Sequence, residues 1–96
     1  MRMHYIAVEW LHSDPTEPSE LYYELDDERY EHRKIEVFSG GRIQYADASH
    51  QTDSTWLAID PHPSVAEIAA DPEFRIKEIG KSQFEYIWDM ALKRGS

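Results

Sequence analysis

The sequence predicts one α+β domain: an antiparallel sheet of four to five strands with two C-terminal helices packed on one face. Residues 22–45 alternate apolar and polar side chains in three runs that two short turns separate, which is the period of half-buried strands. Residues 64–69 and 82–92 instead carry apolar side chains at helical spacing. At 96 residues, the chain is long enough for a single domain, residues 1–96, with one small core.

The first predicted strand covers residues 3–11, MHYIAVEWL, which are apolar on both alternating sets of side chains. A strand that is buried on both faces has this composition, so we expect it in the interior of the sheet. The next residues, HSDPTEPSE, include two prolines and are predicted to form a loop, because proline lacks a backbone donor for a strand ladder.

The same alternation predicts three further strands and a short fifth one, at residues 21–26, 29–39, 43–45 and 55–59. The clearest turn signal in the chain is the pair Gly40-Gly41. Two glycines tolerate the positive φ that a tight hairpin requires, so we expect the strands on either side of this pair to be neighbours.

Two serine–glutamate pairs have the spacing of a capping box, in which the serine oxygen accepts a hydrogen bond from the amide of the glutamate: Ser64 with Glu67, and Ser82 with Glu85. These pairs predict where the two helices begin. The second helix carries one apolar stripe that is expected to cover the first strand: Phe84, Ile87, Trp88, Ala91 and Leu92. Residues 74–79, between the helices, are predicted to be extended.

The chain is acidic and has no cysteine. Nineteen Asp and Glu residues stand against ten Lys and Arg residues, and the net charge is −9. This charge argues against nucleic acid and anionic membranes as partners, because both need a basic surface, and it favours a basic protein partner. A small domain without disulfides suits the reducing cytoplasm.

The ends and apolar runs of the chain predict no export or membrane segment. No apolar run approaches the length of a membrane span, and the N-terminus leads directly into a strand pattern, so we expect no signal peptide. Gly95-Ser96 is interpreted as a frayed tail or a remnant of an expression vector.

Five histidines are the residues from which a metal site or an acid–base site would be built: His4, His12, His32, His50 and His62. His12-x-Asp14 and His50-x-x-Asp53 come closest to ligand spacing, but each lacks a second pair of ligands in the sequence. There is no phosphate-binding glycine loop and no cysteine nucleophile. We therefore predict no metal, no cofactor and no catalytic residue. The alternative is a small enzyme or metal protein that uses the loop histidines His12, His50 and His62.

An acidic stretch is the distinctive feature of the sequence. Eight of the residues from Asp14 to Glu31 are acidic, and Arg29 is the one basic residue among them. The consecutive acids at 26–28 do not match a calcium loop, which needs alternating ligands and a central glycine. A cationic partner would relieve the repulsion among these carboxylates, and aromatic side chains anchor interfaces. The predicted partner-binding residues are therefore Tyr22, Glu24, Asp26, Asp27, Glu28, Tyr30 and Glu31.

Several landmarks resemble a family of small bacterial proteins that is known as a domain of unknown function. They are Tyr5-Ile6-x-Val8-x-Trp10, Glu24-Leu25-Asp26, Arg33-Lys34-Ile35-Glu36-Val37-Phe38 and Phe84-Glu85-x-Ile87-Trp88. The resemblance runs across nearly the whole chain. It implies one domain and a bacterial or phage origin, and it carries over no functional residue.

The resulting hypothesis is a small acidic inhibitor that binds a basic, nucleic-acid-acting target and occludes it. It would be an immunity protein against a nuclease-type toxin, or a phage protein against a nucleic-acid-binding defence complex. Two other interpretations stay open. The acidic stretch is a solvated sheet face that serves solubility alone, or the protein is a structural module that homodimerises through a sheet edge.

Overall fold

The computed structural model describes residues 2–51 and 55–94. Its five strands and two helices follow in the order β1 (His4–Trp10), β2 (Pro18–Leu25), β3 (Glu31–Phe38), β4 (Ile43–Ala46), α1 (Val65–Ala69), β5 (Phe74–Ile79) and α2 (Lys81–Arg94). The strands form one antiparallel sheet in the order β4-β3-β2-β1-β5. The predicted α+β class and the antiparallel sheet are confirmed, and β1 lies in the interior as expected.

One face of the sheet packs against α2. Its buried cluster joins three strand residues to three helix residues: Tyr5, Ile35, Ile43, Phe84, Trp88 and Ala91. The helix residues follow at spacings of four and three, so they form one apolar stripe, as the sequence indicated. Leu92, the last residue of the predicted stripe, remains 50% exposed and lies at the edge of this contact.

The opposite face packs against α1. Val65 and Ile68 of this helix contact a second buried cluster, which consists of Ile6, Val8, Leu21, Tyr23 and Leu25. The two helices therefore lie on opposite faces of the sheet, and the expectation that both pack on one face is corrected in this detail. β5 separates the two helices along the chain, so each can leave that strand towards a different face.

The fifth strand is residues 74–79, and the prediction of a strand at residues 55–59 is wrong. Phe74 and Ile76 alternate with Arg75 and Lys77, and β5 pairs with β1 over six residues. The segment at 55–59 instead lies along β3 in an irregular conformation, where its polar groups bond to side chains of that strand.

The capping prediction holds at one helix and fails at the other. The Ser64 oxygen accepts a hydrogen bond from the Glu67 amide at 3.2 Å, and α1 begins at the next residue. In contrast, α2 begins at Lys81, so Ser82 lies inside its first turn. The amide of Phe84 donates to the carbonyl of Gly80 at 3.1 Å, which places the start of α2 before Ser82.

The hairpin between β3 and β4 turns at Gly40 and Gly41, whose φ angles are 96° and 91°. The amide of Gly41 donates to the carbonyl of Phe38 at 3.1 Å. These angles are costly for residues with a Cβ atom, which is why glycine occupies both positions. Neither of the two helices in the described part of the chain is long and apolar enough to cross a lipid bilayer.

Candidate partner-binding surface

The acidic turn between β2 and β3 is held rigidly by Asp26. One carboxylate oxygen of Asp26 accepts hydrogen bonds from the amides of Glu28 at 2.9 Å and Tyr30 at 3.0 Å. Its backbone carbonyl accepts from the Arg29 amide at 2.9 Å. Arg29 adopts a φ of 70°, the left-handed conformation that closes the turn. The turn therefore projects Asp27 and Glu28 into solvent from a fixed backbone.

Two histidines pair with carboxylates of this turn. His32 Nε2 lies 2.9 Å from Asp26 Oδ2, and His4 Nε2 lies 2.7 Å from Asp27 Oδ1. The hydrogen bond from His32 is the main cause that holds the pKa of Asp26 below its usual value, and the bond from His4 does the same for the pKa of Asp27. Both carboxylates are therefore charged at neutral pH.

A second segment, residues 56–63, is fastened beside this turn. The amide of Ala58 donates to Glu31 Oε1 at 3.0 Å, and the amide of His62 donates to the carbonyl of Arg29 at 2.7 Å. The Arg29 guanidinium donates to the carbonyl of Pro63 at 2.6 Å. Hydrogen bonds at both ends thus hold residues 58–62 alongside residues 29–31.

This arrangement exposes three large apolar side chains. Ile59 is 90% exposed, Trp56 is 54% exposed and Tyr30 is 39% exposed. Asp27, Glu28 and Asp60 are exposed in the same two segments. We call these six residues the acidic–aromatic surface: Asp27, Glu28, Tyr30, Trp56, Ile59 and Asp60. Apolar groups that stay in water within an acidic rim are typical of a protein-binding site.

An apolar cleft of about 310 Å³ adjoins the surface, because His62 and Pro63 at the end of the second segment form part of its lining. Trp10, Tyr23 and Phe74 contribute aromatic rings to the same cleft. His62 packs over Tyr23 with a distance of 4.3 Å between the ring centroids, and burial lowers the pKa of His62. A neutral histidine suits this apolar lining, which can receive an apolar side chain from a bound protein.

The seven predicted partner-binding residues fall into two groups. Five lie together at the turn: Asp26, Asp27, Glu28, Tyr30 and Glu31. Of these five, Asp26, Asp27 and Glu31 use their carboxylates in the internal hydrogen bonds described above. The other two, Tyr22 and Glu24, lie in β2 on the face that α2 covers. Tyr22 is half-buried, and its hydroxyl donates to Glu20 at 2.6 Å.

Glu24 belongs to a buried ion-pair network. Arg33 donates to both oxygens of Glu24 at 2.7 Å, and Tyr5 donates to the same carboxylate at 3.0 Å. The Arg33 guanidinium also pairs with Glu85 at 2.7 Å and lies 4.9 Å from the centre of the Phe84 ring. These hydrogen bonds raise the pKa of Arg33 and lower the pKa of Glu85. Glu24 therefore fastens the sheet to α2 and is not available to a partner.

The loop histidines occupy separate environments. His12 accepts a hydrogen bond from the Asp14 amide at 2.9 Å through Nδ1, and its Nε2 lies 2.8 Å from the carbonyl of Pro18. His50 stacks on Tyr45, and its predicted companion Asp53 lies outside the described residues. Within residues 2–51 and 55–94, no three His, Asp or Glu side chains are grouped so that they could hold a metal ion.

Sequence reasoning missed Trp56, Ile59 and Asp60, because the run TWLAI has the composition of a strand. A signal was available in the next residues. Asp60-Pro61-His62-Pro63 cannot extend a strand ladder, and polar residues precede the run as well. An apolar run between two such segments is a candidate for an exposed loop.

The comparisons with known proteins agree with the resemblance in the sequence. The model of a family described as a domain of unknown function, DUF6881, matches residues 4–93. The chain belongs to this family. The DUF6881 match extends from the first residue of β1 into the last turn of α2, so it covers the whole fold and the acidic–aromatic surface. No curated protein and no solved structure matches the chain.

Proposed function

We propose that this protein is a non-catalytic inhibitor that binds a basic, nucleic-acid-acting protein through the acidic–aromatic surface and blocks it by occlusion. The observation that carries the proposal is the exposure of Tyr30, Trp56 and Ile59 beside carboxylates. An immunity protein that neutralises a nuclease-type toxin and a phage protein that blocks a defence complex both fit this description. The cytoplasm, where such targets act, is the proposed location.

The apolar side chains would supply the binding free energy. Burying an exposed isoleucine side chain completely contributes about 1.5–3 kcal/mol, and Ile59 is almost entirely exposed. Tryptophan and tyrosine are enriched among the residues that dominate interfaces. Ile59 lies in the same segment as Trp56, and hydrogen bonds hold that segment alongside residues 29–31. An exposed isoleucine in this position favours a role in binding, because it does not contribute to solubility.

The surface is also preorganised. The bonds from Ala58 to Glu31 and from His62 to Arg29 already order the segment that carries Ile59. A partner would therefore order little additional chain, and less of the interaction free energy would be lost as conformational entropy.

The charge of the protein supplies selectivity. With a net charge of −9, the protein repels nucleic acid and attracts basic proteins, and exposed carboxylates at the surface steer a cationic partner towards the apolar side chains. Carboxylates that occupy a phosphate-binding cleft prevent the target from reaching its nucleic acid.

Photo-crosslinking in the cell that encodes the chain tests this proposal. A benzophenone amino acid at position 59 is expected to give one discrete adduct with a basic protein. The matched control carries the same amino acid at position 86, because Tyr86 is 68% exposed on α2, away from the surface. Reversal of two surface charges, Glu28→Lys with Asp60→Lys, is expected to abolish the adduct.

Two outcomes would contradict the proposal. The first is an identical set of adducts from positions 59 and 86, which would indicate indiscriminate contact. The second is an adduct from position 59 that survives the charge reversal and contains an acidic or neutral protein. This result would show that binding at the surface does not depend on charge.

A further inference from the structure

β5 forms an open edge of the sheet. It pairs with β1 on one side, and no strand of the described residues pairs with its other side. An edge strand of six residues presents backbone donors and acceptors that an extended chain can pair with. The side chains along this edge determine which chain is suitable.

Two of the three β5 side chains on the α2 face are basic, Arg75 and Lys77, and the third, Ile79, packs against the cluster under α2. Lys77 lies opposite Ala7 of β1, so its neighbour inside the sheet offers no countercharge. The Lys77 side chain is exposed and forms no ion pair or hydrogen bond with any described residue. Arg75 lies opposite Glu9, with a long distance of 3.8 Å between the charged groups. Both bases are exposed, and they line a cleft of about 500 Å³ on this face together with Glu9, Glu20 and Gln83 of α2.

The other face of β5 is apolar for most of its length. Phe74 and Ile76 lie opposite Trp10 and Val8 and are half-buried against them, and Glu78 follows towards the end of the strand. Along residues 74–77, an added strand would meet basic residues on one face and apolar residues on the other.

We propose that the β5 edge binds an extended acidic segment of another protein by antiparallel strand addition. Its acidic residues would lie opposite Arg75 and Lys77, and its apolar residues opposite Phe74 and Ile76. Opposite charges that face each other across neighbouring strands stabilise the pairing. Read in the antiparallel direction, the complementary segment is Lys-Glu-Val-Glu-Val, in which the lysine meets Glu78. This site does not depend on the acidic–aromatic surface.

A second copy of the chain is a poor occupant of the same edge in the registers centred on residues 75–78. In a two-fold antiparallel pair, the residue at the centre lies opposite its own copy, and residues on the same face oppose each other. A centre at Arg75, Lys77 or Glu78 places a charge opposite its own copy. A centre at Ile76 places Arg75 opposite Lys77. Each of these four registers sets like charges directly across from one another, which destabilises the pair.

Peptide titration followed by NMR tests the proposal. A peptide that contains Lys-Glu-Val-Glu-Val is expected to shift the amide signals of residues 74–79 and to slow their hydrogen exchange. A peptide of the same composition with the alternation broken, Glu-Glu-Val-Val-Lys, is expected to bind at least about fivefold more weakly. Lys77→Glu should weaken binding of the first peptide by a similar factor, whereas the control Lys93→Glu, on α2, should leave it unchanged.

Three results would overturn the proposal: equal binding of the two peptides, no effect of Lys77→Glu, or a dimer in light scattering with concentration-dependent shifts at residues 74–79. The last result would show that a second copy covers the edge. Crosslinking from position 59 is expected to be unaffected by Lys77→Glu, so the failure of this proposal and the failure of the proposed function can be distinguished.

Discussion

Glu24 of β2 and Arg33 of β3 form a bidentate ion pair across neighbouring strands, with both nitrogen–oxygen distances at 2.7 Å. The side chains are 10% and 19% exposed, so water screens this pair little. The pair explains why the carboxylates of the acidic stretch, which look equivalent in the sequence, have different roles. Glu24 stabilises the fold, whereas Glu28 is exposed and is one of the residues that we propose to meet a partner.

Removing the cation of this pair should destabilise the fold strongly. Arg33→Met leaves the Glu24 carboxylate buried without its main partner, and the free energy of unfolding is expected to fall by about 3 kcal/mol. The control is Arg75→Met, because the Arg75 side chain is 74% exposed and its pair with Glu9 is long; we expect a change below about 0.5 kcal/mol. Urea unfolding measures both, and equal effects would contradict the assigned role of Arg33.

Protonation of Asp27, in the turn between β2 and β3, should lower the free energy of unfolding at acid pH. The folded-state pKa of Asp27 lies below the reference value of 3.8, so its contribution is fully present above about pH 3.8 and is lost as the pH falls through the lower folded pKa. Asp27→Asn should therefore reduce the loss of stability between about pH 4 and pH 2. Urea unfolding at a series of pH values across this range measures the free energy of unfolding of the native protein and of the variant. Asp60→Asn is the control, since Asp60 has no partner among the described residues, and an identical acid profile in both variants would count against the His4–Asp27 pair.

The anchor of α2 is Phe84, which is 0% exposed. Phe84→Ala should lower the free energy of unfolding by about 3–5 kcal/mol, because a large cavity would remain between the helix and Tyr5. Leu92→Ala, at a position that is 50% exposed, should cost about 1 kcal/mol or less. Thermal or urea unfolding compares the two variants, and a smaller loss for Phe84→Ala than for Leu92→Ala would contradict the packing of α2.

The two serine–glutamate pairs can be distinguished by one matched comparison. Ser64→Ala removes an observed cap and should lower the free energy of unfolding by about 1 kcal/mol. Ser82→Ala should change it by less than about 0.5 kcal/mol, because Ser82 lies inside the first turn of α2 and is exposed. If the order of these two effects were reversed, Ser82 would be the cap and α2 would begin at Gln83.

Local patterns in the sequence were enough to predict β1 to β4, the glycine turn and the start of α1. Each of these elements depends on residues that are close together in the chain, such as Gly40 with Gly41 or Ser64 with Glu67. The position of the fifth strand was not predictable in this way. Residues 55–59 and 74–79 have similar apolar content. They differ in that residues 74–79 pair with the free edge of β1, which is a contact between distant parts of the chain.

The candidate surface was predictable in part for the same reason. The turn at Asp26–Glu31 was located because its residues are consecutive. The burial of Glu24 depends on its register opposite Arg33, and the register between β2 and β3 shifts directly after that pair. Trp56 and Ile59 reach the turn through hydrogen bonds between segments about 30 residues apart, such as that from Ala58 to Glu31. No short sequence pattern encodes such contacts.

The central claim is that exposed carboxylates and apolar side chains at the β2–β3 turn recognise a basic protein. The most direct test is the association rate constant with the crosslinked partner, measured between about 25 and 500 mM salt. We expect a steep decrease with salt for the native protein and for the control Glu17→Lys with Asp89→Lys. Glu28→Lys with Asp60→Lys, which changes the net charge equally, should associate about tenfold more slowly at low salt and respond less to salt. A rate that is independent of salt, or equal slowing by both double variants, would contradict the claim.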